Sequence, residues 1–307
     1  MTARVNTRAE LQAAIHPAEL IQAIEDGFVA YSRGHVVVPP VGHLDFEEPP
    51  GDCHIKYGYI RGDDSFTVKI ATGFYRNPER GLPSSNGVVL VFSSRTGELQ
   101  AILQDEGLLT DLRTAAAGAV AAKYLAPPRV ECIGIVGAGT QARLQLEFLK
   151  EVTPCRRVLV WARSAARAAA FRVEGFQIEI AATVADLAAQ SQLIVTTTPA
   201  RHCLIGADDV QPGTHITAVG ADGGGKQELD PRLFARAVCV VDSRKQCAAF
   251  GDSSYAIQQG LVTVENLLEL GEIIQDRSLR RKDAAQITIA DLTGVAVQDI
   301  QIAKLAL

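Results

Sequence analysis

One short segment constrains the fold of this chain more than any other. Residues 133–136 read IGIV, an apolar run typical of a buried strand, and residues 137–142 continue as GAGTQA before a stretch of helical periodicity. In this GxGxxA arrangement the glycines let backbone approach a pyrophosphate, whose charge is bound by free N–H groups of the following helix. The flanking strand and helix make this a stronger signal than the glycines alone, and together they predict a dinucleotide site. The loop residues expected to contact the dinucleotide are Gly137, Ala138, Gly139, Thr140 and Gln141.

The chain beyond this loop alternates strand-like runs with amphipathic segments of helix length. The strand runs are RVLVWA, QIEIA, LIVTTTP, THITAVG and AVCVVD, and helical segments begin near Ser164 and at residue 185. Such alternation predicts an α/β fold of the Rossmann type, a doubly wound parallel sheet with crossover helices on both faces.

The first hundred residues have a different periodicity. Thr7 and Glu10 have the spacing of a capping box, which predicts a helical start. Residues 36–104 carry short β-branched and aromatic runs separated by turns, which predict a mostly antiparallel sheet. An Ala-rich helix follows at residues 111–124. The final segment, 287–307, combines a short strand with a helix, and we expect it to return to this first, smaller α+β region.

The end of the second strand of the α/β region bears on which nicotinamide cofactor is used. An Asp or Glu there would bind the ribose hydroxyls of NAD, but residues 160–164 read VWARS. Arg163, with Ser164 and Arg167 nearby, can instead bind a 2′-phosphate, so NADP(H) is favoured and NAD(H) is the alternative. The competing interpretation is that Arg163 is a solvated residue at a helix start.

Two further strand ends belong to the same crevice, because ligands of such sheets lie beyond the carboxyl ends of the strands. Thr197 and Thr198 follow one strand, and their hydroxyls can reach a ribose or a phosphate, although threonine is also simply a good strand residue. Another strand ends in VGAD, followed by three glycines and a lysine. Asp222 is a carboxylate among small residues at that strand end, which favours a functional role. The remaining cofactor contacts expected at this edge are Val219, Gly220 and Lys226.

Composition and motif content exclude several classes of partner. Lys and Arg number 30 against 35 Asp and Glu, a net charge of −5, which lacks the basic excess of a nucleic-acid binder. The least polar stretch, 115–126, is far shorter than the roughly 20 apolar residues of a membrane span. Six cysteines occur without a CxxC pair and no secretory leader is evident, so we expect reduced thiols and a cytoplasmic location. The six histidines lack metal-binding spacing, so no metal site is expected.

Several segments, in the same order along nearly the whole chain, point to one family. They are KIATGFY from Lys69, GLPSSNG from Gly81, LTDLRTAAA from Leu109, the glycine loop and AVGADGGGKQELD. With these motifs the chain resembles the ornithine cyclodeaminase and mu-crystallin family. The resemblance implies a nicotinamide-binding Rossmann domain at 113–290, and a substrate and dimerisation domain built from both chain ends, 1–112 and 291–307. It also implies a homodimer.

The resemblance also implies roles for individual residues. Lys69 matches the family's substrate lysine, Arg113 the arginine that binds the substrate carboxylate, and Asp222 the acid that faces the reacting nitrogen. Two cations that fix a carboxylate and an acid that moves a proton form a coherent set. Without the resemblance, Lys69 would read as an outward strand residue and Arg113 as a solvated cation. Beyond the expected catalytic residues Lys69, Arg113 and Asp222, the further contacts expected are Lys56, Asn86 and Gly294 for substrate and Thr293 for cofactor.

One stretch departs from the family pattern. Ornithine cyclodeaminases resemble one another in carrying an Arg and an acid on the early strands, whereas residues 52–59 here present His54 and Lys56. If Lys56 faces the substrate, it repels the distal ammonium of ornithine and suits a substrate with one nitrogen and a carboxylate. The acids that could replace the missing one are Asp45, Glu47, Glu48 and Asp52.

The leading hypothesis is therefore NAD(P)H-dependent reduction of small cyclic imino acids such as pyrroline-2-carboxylate, or the reverse dehydrogenation of an amino acid. One alternative is ornithine cyclodeamination, which uses bound NAD without net oxidation. The other is a mu-crystallin-like protein that binds a small ligand without catalysis. The partners expected are a small amino or imino acid and a second copy of the chain.

Overall fold

The structure, a computed structural model, describes residues 3–74 and 76–307. The α-helices are α1 (Arg8–Ala14), α2 (Pro17–Ser32), α3 (Leu108–Leu125), α4 (Thr140–Leu149), α5 (Ala165–Ala169), α6 (Val184–Gln190), α7 (Arg244–Phe250), α8 (Asp252–Gln258), α9 (Leu270–Gln275) and α10 (Ala296–Leu305). The β-strands are β1 (Arg4–Thr7), β2 (Val36–Val37), β3 (Gly42–Phe46), β4 (Gly51–Ile60), β5 (Ser65–Gly73), β6 (Ser85–Ser93), β7 (Leu99–Gln104), β8 (Ile133–Val136), β9 (Arg157–Trp161), β10 (Gln177–Ile180), β11 (Leu193–Thr196), β12 (Arg201–Ile205), β13 (His215–Ala218), β14 (Gln227–Leu229), β15 (Ala237–Val241), β16 (Leu268–Glu269) and β17 (Ile287–Asp291).

The chain divides into two compact units, one of residues 1–113 with 296–307 and one of residues 114–295. These limits differ by a few residues from the boundaries expected from the sequence, at 112/113 and 290/291. The reason is that Asp291 is the last residue of β17 and pairs with Ala218 and Val241. The strand of the final segment therefore stays in the second unit, and α10 belongs to the first.

The first unit contains a seven-stranded sheet in the order β1-β7-β6-β5-β4-β2, with β3 paired to β4. Its neighbours are antiparallel except β1 and β7, so the predicted mostly antiparallel sheet is confirmed, although β1 and β3 were not predicted. The predicted capping box is also present. The Thr7 amide donates to the Glu10 carboxylate at 2.8 Å, and the Glu10 amide to the Thr7 hydroxyl at 3.5 Å, which fixes the start of α1.

The two faces of this sheet differ in what covers them. Helices α2 and α10 pack together, and α10 lies against β4 and β5. Thr67 and Val89 are fully buried on this covered face. On the opposite face Phe66 stacks on Phe92 with ring centroids 5.0 Å apart, and Tyr57 is 40% exposed. The opposite face is therefore apolar but only partly buried within the unit.

The second unit contains an eight-stranded parallel sheet in the order β10-β9-β8-β11-β13-β17-β15-β16, which confirms the predicted doubly wound α/β fold. Ile133 and Ile135 of β8 belong to one apolar core layer and Val136 to another, as expected for a strand covered on both faces. Strand order reverses between β8 and β11, so the ligand crevice of this fold lies at their carboxyl ends. No helix in the described part of the chain has the length and apolar character needed to cross a membrane.

Candidate functional site

Three buried charged side chains meet in the first unit, and we call them the cationic cluster: Lys69 on β5, Arg113 on α3 and Asp299 on α10. Asp299 Oδ1 accepts hydrogen bonds from Lys69 Nζ at 2.9 Å and from Arg113 Nε at 3.1 Å. Lys69 also donates to the Thr110 hydroxyl at 3.2 Å, and Arg113 Nη1 donates to Gln298 Oε1 at 2.8 Å. The structure thus places two of the predicted substrate-binding residues side by side.

Burial dominates the ionisation of this cluster. It lowers the pKa of Lys69 from 10.5 to about 8, and the Asp299 carboxylate acts against that decrease. Burial also opposes ionisation of Asp299, yet Lys69 and Arg113 hold the pKa of this carboxyl below its ordinary value. At neutral pH two cations therefore share one anion, and the excess positive charge can attract a substrate carboxylate.

The register of the sheet resolves the side on which Lys56 lies. Lys56 is opposite Lys69 in the β4–β5 pairing, and cross-strand partners occupy the same face of a sheet. Its charge acts on both Lys69 and Asp299. The position of Lys56 therefore supports the expectation that a second ammonium group on the substrate is disfavoured, which stays a prediction.

The same register separates Asn86 from the cluster. Asn86 pairs with Thr72, whereas the residue of β6 that pairs with Lys69 is Val89, three positions away. Because side chains alternate along a strand, Asn86 belongs to the opposite face. Its Oδ1 accepts from the Gly87 amide at 2.7 Å. Asn86 therefore does not join the cationic cluster within this unit, and its contact with the substrate stays a prediction.

The acids considered as replacements do not join the cluster. His54 and His43 face each other across β4 and β3, with their Nδ1 atoms 3.3 Å apart. Asp45 Oδ1 lies 2.9 Å from His43 Nε2, and Asp52 Oδ1 lies 3.6 Å from His54 Nε2. These two carboxylates are therefore engaged by histidines. The other two candidate acids lie in the exposed turn after β3: Glu47 and Glu48.

In the second unit, the two glycines of the predicted phosphate loop have different reasons for being glycine. Gly137 has φ +124°, and a Cβ there would lie 2.4 Å from the Thr197 hydroxyl, so the fold itself requires glycine. Gly139 has φ −93°, and a Cβ there would meet no atom within 4 Å. The fold itself therefore does not require glycine at 139, and the missing side chain leaves the backbone there open to a ligand.

The helix that follows this loop begins without a side-chain cap. Gly139 is the N-cap of α4, no side chain caps the helix, and its first turn contains no acidic residue. The first amide groups of such a helix lack partners within it, and their partial positive charge favours a phosphate. The loop over Ala138, Thr140 and Gln141 thus fits a dinucleotide pyrophosphate.

The residues that the sequence associates with the choice of cofactor lie just after β9. Arg163 follows β9 and is exposed, as is Arg167. The Ser164 hydroxyl caps α5 by accepting from the Arg167 amide at 3.4 Å. Ser164 therefore has a local structural task, and the two guanidinium groups beside it are exposed to solvent.

The threonines that follow β11 are committed to protein acceptors. Thr197 donates its hydroxyl to the Val136 carbonyl at 3.2 Å, and Thr198 donates both its hydroxyl and its amide to Glu228 Oε1 at 2.7 Å. Glu228 Oε2 accepts from the Thr196 hydroxyl at 2.7 Å and from the Gly220 amide at 2.8 Å. These hydroxyls therefore have acceptors within the protein, and their contact with a ribose or a phosphate stays a prediction.

Glu228 is the main residue of this crevice that the sequence reasoning missed. It is 0% exposed, and burial raises its pKa to about 7 against the effect of its hydrogen bonds to Thr198 and Thr196. By bonding Thr198 after β11 and Gly220 after β13, it fixes the ends of these two strands relative to each other. The short run QEL of β14 is mostly polar, so no local pattern in the sequence reveals that Glu228 is buried.

Thr293 and Gly294, which were expected to contact ligands, also form hydrogen bonds within the protein. The Thr293 hydroxyl donates to Asp242 Oδ1 at 3.1 Å and accepts from Gln246 Nε2 at 3.0 Å, and the residue is 2% exposed. The Gly294 amide donates to Asp242 Oδ2 at 2.6 Å. The contacts of Thr293 with cofactor and of Gly294 with substrate therefore stay predictions.

Asp222 and Lys226 form an ion pair in the glycine-rich loop after β13. Their carboxylate and ammonium atoms are 2.5 Å apart, and the Asp222 side chain is 54% exposed. Asp222 is thus a solvent-accessible carboxylate beyond the carboxyl end of a central strand, at the edge of the sheet where ligands of this fold bind.

A family model described as the ornithine cyclodeaminase/mu-crystallin family matches residues 1–306. The chain belongs to this family. A Rhizobium meliloti protein with a provisional dehydrogenase name is 42% identical over 310 residues, covering 99% of this chain and 94% of that protein. The archaeal alanine dehydrogenase dimer with bound NAD superposes with a TM-score of 0.92 at 33% identity, covering 100% of this chain and 95% of that one. The Thermococcus litoralis Δ1-pyrroline-2-carboxylate reductase, in complex with NADH and L-proline, has a TM-score of 0.92 at 29% identity over 99% of this chain and 96% of that one.

The second residue that the sequence reasoning missed is, like Glu228, a buried acid. Asp299 lies on α10, whose residues 296–303 are all buried. A charged residue in a fully buried helix segment needs a partner, and that expectation was available from the sequence of the final helix. The identity of the partner was not, because Lys69 is 230 residues away along the chain.

Proposed function

We propose that this protein is an NAD(P)H-dependent reductase of small cyclic imino acids such as Δ1-pyrroline-2-carboxylate, or an oxidoreductase running the reverse amino-acid dehydrogenation. The observation that carries the proposal is the pairing of two binding elements in one chain. The first unit buries Lys69 and Arg113 around a shared anion, and the second has an uncapped helix start behind Gly139. A carboxylate suits the former and a pyrophosphate the latter.

Lys69 and Arg113 bind the substrate α-carboxylate in this proposal. Their charge is present in the ground state and in the transition state, so their contribution is placement of the substrate. Lys56, on the same sheet face, adds positive charge and disfavours a substrate with a distal ammonium.

Asp222 holds the proton that is exchanged with the substrate nitrogen. Its exposed position lets it equilibrate with solvent, and Lys226 at 2.5 Å orients the carboxylate. When bound, the nicotinamide supplies or accepts the hydride, and binding, orientation and proton transfer fall to the chain.

We further propose NADP(H) as the preferred cofactor, with NAD(H) as the alternative, because Arg163 stands where an NAD-specific acid would bind the ribose. The two structural relatives described above carry NAD or NADH, so the preference is a specific test of Arg163 in this chain. Replacement of Arg163 by Asp should move the ratio of Kd values toward NADH.

The proposed active form is a homodimer. Within the first unit, the apolar sheet face that carries Phe66, Phe92 and Tyr57 is only partly buried, and an apolar face of this kind needs a covering surface. The archaeal relative is described as a dimer. Light scattering at micromolar concentration measures the assembly, and a monomer would contradict it. The cytoplasmic location stays a prediction.

The deciding experiment offers the purified protein Δ1-pyrroline-2-carboxylate with NADPH or NADH and, separately, ornithine with NAD. Oxidation of the reduced cofactor with formation of proline supports the reductase. Proline and ammonia from ornithine without net cofactor turnover would identify a cyclodeaminase instead. Cofactor binding with neither reaction, across a panel of small imino acids, would favour the ligand-binding alternative.

A further inference from the structure

Asp299 lies at the centre of the cationic cluster, on a helix to which the sequence assigned no chemistry. We propose that Asp299 is a positioning residue, which holds the Lys69 ammonium and the Arg113 guanidinium at the spacing of one substrate carboxylate and keeps Lys69 charged. The proposal rests on the proposed function, because it requires that the substrate carries a carboxylate.

A single oxygen atom sets the spacing. Lys69 Nζ and Arg113 Nε both donate to Oδ1 of Asp299, at 2.9 and 3.1 Å, so the two nitrogens lie within two hydrogen-bond lengths of each other. Two buried cations at that separation repel strongly unless an anion lies between them. Asp299 therefore keeps within reach of one ligand two groups that would otherwise move apart.

Gln298 completes the arrangement from the adjacent position on α10. Its Oε1 accepts from Arg113 Nη1 at 2.8 Å, while Asp299 accepts from Nε. Two acceptors on two nitrogens fix the plane of a guanidinium group, because its donors form a rigid fork. The third nitrogen, Nη2, is then directed by the protein and is the one left to address a substrate carboxylate.

Two buried atoms distinguish this arrangement from a salt bridge that serves stability alone. Asp299 Oδ2 and Gln298 Nε2 make no hydrogen bond to any described residue. Leaving a buried donor and a buried acceptor without partners is costly, and a purely structural pair would be expected to use both. A carboxylate bound beside Arg113 is an acceptor of the kind that Gln298 Nε2 lacks.

The charges facing Lys69 come from four elements. Arg113 on α3 and Lys56 on β4 act with burial to lower the pKa of Lys69, whereas Asp299 on α10 raises it. Asp105, just after β7, is a further carboxylate whose own pKa responds to Lys69. Replacing Asp299 with Asn keeps the shape but removes the anion that is hydrogen-bonded to Lys69, so the ammonium becomes neutral at a lower pH.

The first test needs no substrate. Lysine labelled with ¹³C at Cε is titrated by NMR in the full-length protein, and the Lys69 signal is identified by its loss in Lys69→Arg. We expect an inflection near pH 8 in the parent protein, a shift to lower pH in Asp299→Asn, and a partial return in Asp299→Glu. The control is Asp63→Asn, which removes the exposed 2.8 Å ion pair between Asp63 and Lys304 of the same helix. It should leave Lys69 unchanged.

The second test measures KM for Δ1-pyrroline-2-carboxylate as a function of pH with saturating reduced cofactor. Each unit by which the pKa of Lys69 falls reduces the charged fraction about tenfold at higher pH, so KM in Asp299→Asn should rise by on the order of tenfold at pH 8. At pH 6, where Lys69 is charged in both proteins, the difference should be small. A merely structural role would change KM equally at both pH values.

An unshifted Lys69 titration in Asp299→Asn would overturn the proposal, as would a pH-independent effect on KM. If Asp299→Asn does not fold, Asp299→Glu carries the test, because moving the carboxylate by one methylene should still displace the titration. If no imino acid is turned over by the parent protein, the proposed function fails, and the NMR titration still decides the role of Asp299.

Discussion

The protein buries charge in two ways, one in each unit. The cationic cluster of the first unit contains both signs, and its members bond to one another: Lys69, Arg113 and Asp299. The second unit contains an acidic chain, which we define as Glu228, Asp252 and Asp291. There the donors are hydroxyls and backbone amides: Asp252 accepts from the amides of Glu228 and Leu229, and Asp291 from those of Asp252 and Ser253.

The difference shows in the protons that the two clusters hold. Lys69 and Asp299 compensate each other, so both are charged at neutral pH. In the acidic chain the pKa of Glu228, Asp252 and Asp291 is raised to about 7, mainly by burial and, for the last two, also by neighbouring carboxylates. Burial of charge by itself therefore does not mark a binding site. In the cationic cluster the positive charge exceeds the negative charge, which suits an anionic ligand, whereas the carboxylates of the acidic chain are bonded to backbone amides and hydroxyls of the protein.

The largest effect is expected from breaking the cationic cluster. Arg113→Met leaves Asp299 with one partner and removes half of the proposed carboxylate receptor. We expect kcat/KM for the imino acid to fall by about 100- to 1,000-fold, because truncating one partner of a buried charge pair costs roughly 2–5 kcal/mol. The matched control is Arg95→Met, whose ion pair with Asp64 is exposed at 77% and 74% and should contribute little. Equal losses in the two variants would contradict a ligand-directed role for the cluster.

The acidic chain should respond in stability rather than in substrate binding. Glu228→Ala leaves the Thr196 hydroxyl and the amides of Thr198 and Gly220 without their acceptor. We expect the free energy of unfolding in urea to fall by about 3 kcal/mol. Glu179, in an exposed ion pair with Arg157, provides the control through Glu179→Ala, which should unfold like the parent. A stable Glu228→Ala protein would show that the strand ends are held by other contacts.

The pH dependence of stability sharpens the contrast. The pKa of Asp252 is about 7 in the folded protein, against an ordinary value of 3.8, so the folded state binds more protons than the unfolded state between these values. Stability is therefore lost as pH rises from about 4 to about 7, and Asp252→Asn should reduce this loss by on the order of 1–3 kcal/mol. Chemical denaturation at pH 5 and pH 8 measures it, with the exposed Asp208→Asn as control. An unchanged difference between the two pH values would argue against proton uptake by Asp252.

The smallest effects are expected in the phosphate loop, where one glycine serves the fold and the other leaves room for a ligand. Gly137→Ala should lower the free energy of unfolding by roughly 1–3 kcal/mol, because its backbone conformation and the nearby Thr197 hydroxyl exclude a side chain. Gly139→Ala should cost less than about 1 kcal/mol in stability yet weaken NADPH binding by about tenfold or more. Unfolding and cofactor titration on both variants give the comparison. Full NADPH affinity in Gly139→Ala would place the pyrophosphate elsewhere.

The sequence determined those features whose causes lie within a few residues. The capping box of Thr7 and Glu10, the strand before Gly137 and the uncapped helix after Gly139 are local, because hydrogen bonds and φ values over one or two turns decide them. Period-two and period-3.6 patterns also follow from neighbouring side chains, so the doubly wound sheet and the mostly antiparallel sheet were predictable. The roles expected for Lys69, Arg113 and Asp222 followed from the resemblance to family motifs that occur in the same order along the chain.

Tertiary structure decided the contacts between distant parts of the chain. Asp299 meets Lys69 across 230 residues, and Glu228 meets Thr196 across 32, through pairings that no local pattern contains. The side of the sheet on which Asn86 lies depended on strand register, where a shift of one residue exchanges the faces. Likewise, β17 lies between β13 and β15, out of chain order. A fully buried strand is most stable in the interior of the sheet, where both of its edges are hydrogen-bonded to neighbouring strands. Long-range pairing of this kind is selected by packing of the whole core, and it placed the buried charges that the local sequence left without partners.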